Sequence, residues 1–128
     1  MLSTKIRLQF MSLLLLALLF IAAGINHFVN PGFYLKITPD FVPWPQSMIY
    51  LSGVFEVLGG VGVLVPKLRR AAGWGLIALL LAVSPVHVDM LVHADRFAEV
   101  PMWALVARLL LQPVLIAWVW WTAVKSRY

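Results

Sequence analysis

The chain has 128 residues, of which 62% are hydrophobic and 12% are charged, and its mean hydropathy is +0.93. Soluble domains carry about a quarter charged residues, so this composition excludes a soluble enzyme and a disordered chain. The absence of cysteine excludes disulfides, thiolate metal sites and dithiol relays, so any redox role requires a borrowed cofactor. The net charge of +5 favours an anionic partner only if the charges share an exposed surface.

Four apolar segments are long enough to cross a lipid bilayer as helices of about 20 residues. Read in windows of about 19 residues, the predicted spans are 8–28, 46–65, 70–88 and 101–124. Proline and glycine at 30–32, proline at 66 and a polar run at 87–99 separate them. The sequence therefore predicts one all-α domain over residues 1–128, an integral membrane four-helix bundle.

The first span has an alternative interpretation as a cleaved secretory signal. Lys5 and Arg7 precede its apolar run, and the small residues Ala22 and Gly24 lie near its end. The run of about 18 residues is longer than the apolar core of a typical signal. We therefore expect it to be retained as the first membrane helix.

The basic residues lie mostly on one side of the predicted membrane. Seven of the ten Lys and Arg residues lie before the first span, between spans two and three, or at the C-terminus: Lys5, Arg7, Lys67, Arg69, Arg70, Lys125 and Arg127. Because Lys and Arg near span ends stay in the cytoplasm, both termini are predicted to be cytoplasmic. The net positive charge is then explained by the orientation of the chain in the membrane, and a nucleic-acid partner is disfavoured.

The segment between the first two spans is rich in proline: Pro31, Pro39, Pro43 and Pro45. Each proline removes a backbone donor and pushes the preceding residue toward extended geometry, so we expect a loop on the outer surface. Its aromatic residues are expected to dip into the membrane interface: Phe33, Tyr34, Phe41 and Trp44. A plain connector is the alternative.

Glu56 is the most informative residue, because it lies about ten residues below the outer end of the second span. At 1.5 Å per residue its carboxyl is about 15 Å deep, where a charge costs roughly 2.5–3.5 kcal/mol. It must face the bundle interior, be protonated or have a partner. Ser52 lies one turn earlier, and nearby glycines allow close helix approach: Gly53, Gly59, Gly60 and Gly62.

Arg108 in the fourth span is the expected partner of Glu56. It lies about 10 Å below the outer face, and Gln112 follows one turn deeper on the same helix face. We predict that Glu56 and Arg108 approach each other, with Ser52 and Gln112 as neutral partners. Two roles remain open for the carboxylate, an ion pair that only fixes packing or a group that handles protons or binds a ligand.

His27 and His87 end the first and third spans near the outer boundary, so they are expected to be neighbours. Two membrane histidines can ligate haem or a metal, or bond a quinone carbonyl. The histidines lack His-x-x-x-His spacing and a well-placed carboxylate, so no metal site is predicted. Helix capping or packing, with Asn26 as a second donor, is the simpler alternative.

A set of residues in the first three spans and the Pro-rich segment carries a family resemblance. The set is Gly24, His27, Phe28, Pro31, Tyr34, Ile37, Pro39, Pro43, Ser52, Gly53, Glu56, Gly59, Gly62, Pro85 and Met90. This pattern, over about residues 20–90, resembles the DoxX-like family of small four-helix integral membrane proteins. The chain departs from the family at Pro85-Val86-His87, where the family often has Pro-Ala-Asn.

The resemblance implies one of two functions. Some DoxX-like proteins are membrane subunits of quinone-linked oxidoreductase complexes in bacteria, including thiosulfate-oxidation and oxidative-stress assemblies. This implies a quinone ligand, no covalently bound cofactor, other membrane subunits as partners and a multi-pass location in the bacterial inner (plasma) membrane. Other members, the animal NACHO proteins, are assembly factors for receptor channels, which implies a client membrane protein as partner.

The expected site is a polar cluster in the outer half of the bundle. It consists of Ser52, Glu56, Arg108 and Gln112, rimmed by Asn26, His27 and His87. In an accessory or quinone-site subunit, Glu56 would hold a proton and His27 or Arg108 would bond the quinone oxygen. In an assembly factor, the cluster would bind a polar group on a client helix. The glycine-rich faces leave a homo-oligomer open, and a small-molecule carrier is disfavoured because four spans leave little room for alternating access.

Overall fold

The computed structural model describes residues 3–125, which are helical apart from short connecting turns. Its helices are α1 (Thr4–Val29), α2 (Pro31–Ile37), α3 (Pro45–Leu64), α4 (Arg69–Val92) and α5 (Met102–Val119). A 3₁₀ turn at Ala94–Phe97 precedes α5, and a π-helical turn at Trp120–Val124 continues it. The described part of the chain contains no strand, so the predicted all-α class is confirmed.

Four of these helices are long and apolar enough to cross a membrane, by length and composition: α1, α3, α4, and α5 with its π-helical turn. Each predicted span coincides with one of them, and two of the spans extend one residue beyond the helix. Between 17% and 28% of their most apolar windows is buried inside the protein, so most of their apolar surface faces outward. The fold is therefore that of a helical bundle compatible with a lipid environment.

The Pro-rich segment is not a continuous loop, which corrects one expectation from the sequence. Pro31 is the first residue of α2, because a proline at this position has a preset φ and loses no intrahelical hydrogen bond. Pro45 opens α3 in the same way. Trp44 precedes it with φ 45°, in the left-handed region, which is unusual for a residue other than glycine.

The helix α4 also extends further than expected. It runs through Pro85 to Val92, so the part of the polar run beyond the predicted end of the span at residue 88, including Asp89, is also helical. Pro85 removes one ladder hydrogen bond, but membrane helices tolerate such losses where neighbouring groups satisfy the backbone. Next to the proline, Ser84 Oγ donates to the carbonyl oxygen of Leu80 at 2.7 Å.

The buried core lies mainly toward the end of the bundle that holds the two chain termini. Its members are Leu13, Leu16, Ala17, Phe20, Val63, Leu76, Ile77, Leu80, Val119, Ala123 and Val124. A polar contact ties α1 to the π-helical turn there: Ser12 Oγ lies 2.9 Å from Thr122 Oγ1 and accepts a 2.8 Å bond from Trp118 Nε1. The polar cavity described below lies beyond the Phe20 and Leu80 end of this core.

The closest helix packing is between α1 and α3. Gly24 and Gly53 face each other, and a Cβ at Gly24 would lie 2.6 Å from the carbonyl oxygen of Gly53. Such backbone approach is typical of membrane helices that associate through small residues. It brings the side chains on either side of these glycines within hydrogen-bonding range.

We expect Gly53→Ala to lower the free energy of unfolding by about 1–3 kcal/mol. Its new methyl group would lie 2.8 Å from both Gly24 O and His27 Cβ, and neither atom can move unless the helix shifts. The matched control is Gly75→Ala, whose Cβ meets no atom within 4 Å and which gains helix propensity. Thermal unfolding of the purified variants in detergent is the measurement, and equal stability of the two would contradict this packing.

Candidate functional site

A cavity of about 210 Å³ lies between the helices and is lined by residues of α1 to α5 and the turn after α2. Its polar lining consists of His27, Tyr34, Thr38, Ser52, Glu56, His87 and Arg108. Its apolar lining consists of Phe20, Ala23, Ile37, Ile49, Leu79, Leu80, Val83 and Val86. Apolar walls with a few converging polar groups are typical of ligand sites, and this volume, below the roughly 300–1,000 Å³ of drug-sized pockets, suits a small ring or head group.

His27 of α1 and Glu56 of α3 meet in the cavity wall. His27 Nε2 lies 2.9 Å from Glu56 Oε2, and the two side chains are 12% and 16% exposed. The pair exists because Gly24 and Gly53 allow α1 and α3 to pack backbone to backbone at this level. We call it the His27–Glu56 pair.

The other ring nitrogen of His27 determines which tautomer is present. Nδ1 lies 2.9 Å from the carbonyl oxygen of Ile49 and 3.0 Å from Ser52 Oγ. A carbonyl oxygen only accepts, so we assign the hydrogen to Nδ1, which donates it to Ile49. Ser52 Oγ donates to the same carbonyl at 2.9 Å. Nε2 is therefore the atom that exchanges a proton with its surroundings.

We assign one proton to the two facing atoms of the His27–Glu56 pair. Two bare lone pairs at 2.9 Å would repel each other, and loss of the proton would leave an unpaired carboxylate in an apolar bundle. A second proton would leave an unpaired imidazolium. The pair is thus imidazolium with carboxylate, or imidazole with carboxylic acid, and it is neutral overall in both forms.

Two buried polar atoms of the cavity lining have no hydrogen-bond partner among the described residues: Glu56 Oε2 and His87 Nδ1. The His27 ring is close enough to Oε2 for an ion pair, but the contact lacks the geometry of a hydrogen bond. Leaving a buried polar atom unsatisfied costs about 1–3 kcal/mol. Both atoms therefore favour a polar ligand group or water in the cavity.

Tyr34 of α2 covers the outer side of His27. The two ring centroids are 4.1 Å apart, with the planes tilted by 38°. Asn26 Nδ2 donates to the Tyr34 hydroxyl at 2.7 Å, and Asn30 Nδ2 donates to Asn26 Oδ1 at 2.8 Å. This chain of side chains fixes α2 over the cavity and leaves the hydrogen of the Tyr34 hydroxyl free to donate elsewhere.

Arg108 of α5 is held by Gln112, not by a carboxylate. Its Nη1 donates to Gln112 Oε1 at 2.7 Å. Gln112, which is 2% exposed, in turn donates through Nε2 to the Leu80 carbonyl at 3.0 Å and to Ser84 Oγ at 3.3 Å. The guanidinium is therefore oriented by a neutral network that joins α4 to α5.

The expected ion pair between Glu56 and Arg108 is not formed. Within residues 3–125 the ion pairs closer than 4.0 Å join His27 to Glu56 and His93 to Asp89, and Arg108 takes part in neither. Glu56 and Arg108 do line the same cavity. The pairing differs from the expected one because α3 packs most closely on α1, which places the Glu56 carboxylate next to His27.

The structure brings five of the seven expected site residues to the cavity: His27, Ser52, Glu56, His87 and Arg108. The other two, Asn26 and Gln112, contact lining residues from outside it. Tyr34 and Thr38 also line the cavity, whereas Tyr34 was expected at the membrane interface. Pro31 signals the start of a helix, but no local signal gives the direction of that helix, so the sequence did not place Tyr34 against His27.

The side chains of residues 3–125 include no group of three or more His, Asp or Glu arranged to hold a metal ion. The cavity instead offers single donors and acceptors on different helices.

Residues 16–123 match the family model described as Domain of unknown function (DUF8561). The chain belongs to the DUF8561 family. No curated protein and no solved structure matches it. The DUF8561 match includes every residue of the cavity lining, so the site lies inside the family domain.

For this DUF8561 protein, we expect Gln112→Leu to lower the free energy of unfolding by about 1 kcal/mol. The change removes the acceptor of Arg108 and two bonds to α4. The control is Gln46→Leu, because Gln46 is exposed and bonds only Tyr50 of its own helix at 3.1 Å. Thermal unfolding in detergent is the measurement, and a loss no larger than that of the control would show that the network contributes nothing.

Proposed function

We propose that this protein is a DoxX-like accessory or quinone-site subunit of a membrane oxidoreductase, and that its cavity binds the quinone head group. The observation that carries the proposal is the buried Glu56 Oε2, which lies 2.9 Å from His27 but accepts no hydrogen bond from the described residues, in a cavity of head-group size. An acceptor held next to a one-proton pair is suited to a ligand hydroxyl that gives up its proton. A quinone supplies this chemistry when bound, because its oxygens are acceptors in the oxidised form and hydroxyl donors in the reduced form.

The residues of the cavity have different roles. Arg108, His87 and Tyr34, the last of which lies against the His27 ring, present groups that can donate hydrogen bonds to a ligand oxygen. Glu56 accepts a hydrogen bond from the ligand, and the His27–Glu56 pair, which holds one proton at rest, passes on a proton that the ligand releases. The Ile49 carbonyl keeps the hydrogen of Nδ1 in place, so proton exchange is confined to Nε2 and the carboxylate. In this proposal, the partner subunits of the complex carry out the electron transfer.

The position of Arg108 supports access from the membrane. Its side chain lines the cavity and is also exposed on the surface. The cavity therefore opens at Arg108, on the side of α5. A ligand with an apolar tail could place its head group inside and leave the tail among the lipids.

We expect the wild-type protein, purified in mild detergent, to release quinone that absorbance and mass spectrometry detect. Glu56→Gln should weaken binding of an added short-chain quinol about tenfold or more, because a charge-assisted hydrogen bond becomes a neutral one. The control is Glu99→Gln, an exposed carboxylate in the turn before α5. Unchanged quinol affinity in Glu56→Gln would refute the assigned role of the carboxylate.

A second function, a membrane-protein assembly factor resembling NACHO, is favoured by a different surface. A groove of about 500 Å³ between α3 and α4 is almost wholly apolar and is lined by Phe55, Leu58, Gly59, Ala72, Gly75, Ala78, Leu79 and Ala82. Small residues allow a client helix to approach closely. Co-purification of a stoichiometric integral membrane client without quinone would select this function over the first.

We also propose that the protein lies in the bacterial inner membrane with both termini cytoplasmic and α2 on the outer side. Because the chain has no cysteine, single cysteines report the orientation directly. Glu99→Cys should react with a membrane-impermeant maleimide on intact spheroplasts, whereas Lys67→Cys should react only after permeabilisation. Both positions are exposed, and the reverse pattern of labelling would overturn the orientation.

A further inference from the structure

We infer that the ligand of this cavity carries one negative charge in its bound form and that Arg108 binds that charge. The inference rests on the proposed function in one respect, that the cavity holds a ligand. It goes further because it assigns the ligand to a chemical class, a small monoanionic head group on an apolar body.

The ionisable side chains of the lining are His27, Tyr34, Glu56, His87 and Arg108. The His27–Glu56 pair, whose facing atoms lie 2.9 Å apart, is neutral overall with the one proton that we assign to it. Tyr34 is neutral as a phenol. His87 shares the cavity with a permanent positive charge, which disfavours a second one. The lining therefore carries a net charge of +1, located on Arg108.

No carboxylate of residues 3–125 lies within 4.0 Å of Arg108. Glu56 attracts the guanidinium across the cavity but lies more than 4.0 Å from it, and the nearest group to this carboxylate that can carry a positive charge is His27 at 2.9 Å. The contact that holds the guanidinium is neutral: one N–H group donates to Gln112. A guanidinium has five N–H donors in a planar fork, so others are free for a ligand.

The depth of Arg108 makes this unbalanced charge significant. It lies six residues into α5, about 9 Å from the start of the helix, and a charge inside the hydrocarbon region is costly unless it is paired. Its exposed side faces the opening of the cavity. An anion bound there would pair the charge, and the apolar walls would contain the body of the same molecule.

The unpartnered His87 Nδ1 adds an independent observation on the same wall. This atom is buried and has no hydrogen-bond partner in the described chain. An anionic head group with two oxygens can accept from Arg108 and from His87 together. A neutral ligand would satisfy His87 but would leave the guanidinium charge uncompensated.

The test uses pairs of probes that differ in charge but hardly in shape. The first pair is a naphthoquinone with a hydroxyl group on its quinone ring, which is ionised at neutral pH, and its neutral methoxy analogue. The second pair is naphthoate and the neutral naphthamide, which contain no quinone. Affinities are measured by calorimetry with the full chain in maltoside micelles, for the wild type and for Arg108→Gln, Arg108→Lys and Arg96→Gln.

We expect wild-type protein to bind the anion of each pair at least about tenfold more tightly than its neutral analogue, which corresponds to about 1.4 kcal/mol. Arg108→Gln should reduce this ratio to about one. Arg108→Lys should keep part of the preference, because the charge remains and the planar fork is lost. The control Arg96→Gln, in the exposed 3₁₀ turn, should leave the ratio unchanged.

The outcomes separate this inference from the proposed function. If the quinones bind without a charge preference, or if Arg108→Gln keeps the preference, the inference is overturned and the quinone function stands. If naphthoate binds through Arg108 and no quinone binds, the inference stands and the quinone function falls. If none of the four probes binds to folded wild-type protein, both are overturned.

A competition experiment identifies whether the bound anion is a lipid head group or a separate small molecule. Phosphatidylglycerol, or phosphatidylcholine as its zwitterionic control, is added to the micelles as a competitor. Displacement of the anionic probes by phosphatidylglycerol alone assigns the site to a lipid head group. Retention of the probes assigns it to a separate small lipophilic anion. Both results require Arg108 to bind the charge.

Discussion

A carboxyl group inside an apolar bundle must be neutralised, and the structure of this protein is arranged around that requirement. Glu56 lies on a helix whose surface is otherwise almost wholly apolar, and its charge is balanced by His27 at 2.9 Å. Two facing glycines make the contact geometrically feasible, since they allow α1 and α3 to approach backbone to backbone. The close packing and the polar site therefore have the same cause.

The same requirement explains the arrangement of the opposite wall. A histidine and a glutamate with one proton between them are neutral, so they cannot balance the guanidinium of Arg108. The bundle orients this cation with Gln112, which also donates to the Leu80 carbonyl, rather than with an acid. The cavity is therefore lined by a cation on α5 and by the His27–Glu56 pair on α1 and α3. In the proposed function, this asymmetry would distinguish the two ends of a ligand.

The DUF8561 family match spans the whole cavity, so the proposals concern the domain itself and not an added segment. The two candidate functions use different surfaces. The quinone-site proposal depends on the interior cavity, whereas the assembly-factor proposal depends on the outer groove between α3 and α4. Because the cavity and the groove share only Leu79, a substitution in one of them leaves most of the lining of the other unchanged. The two proposals can therefore be tested separately.

The sequence by itself determined the fold class, the number of membrane-length helices and most of the site. Hydropathy sets these because each span must satisfy its own backbone in an apolar medium. Depth along a span also identified Glu56 and Arg108, since a polar side chain at that depth must face inward, and the ends of the first and third spans identified His27 and His87.

Only the tertiary structure decided which of these groups are paired. Sequence gives the depth of a residue along its helix but not the rotation and spacing of the helices. The depths of Glu56 and Arg108 nearly agree, yet α3 packs on α1 and the carboxylate meets His27. The same limit applies to Tyr34, which reaches the cavity because α2 folds back over His27. Pairing and enclosure depend on packing between distant segments, which no local pattern encodes.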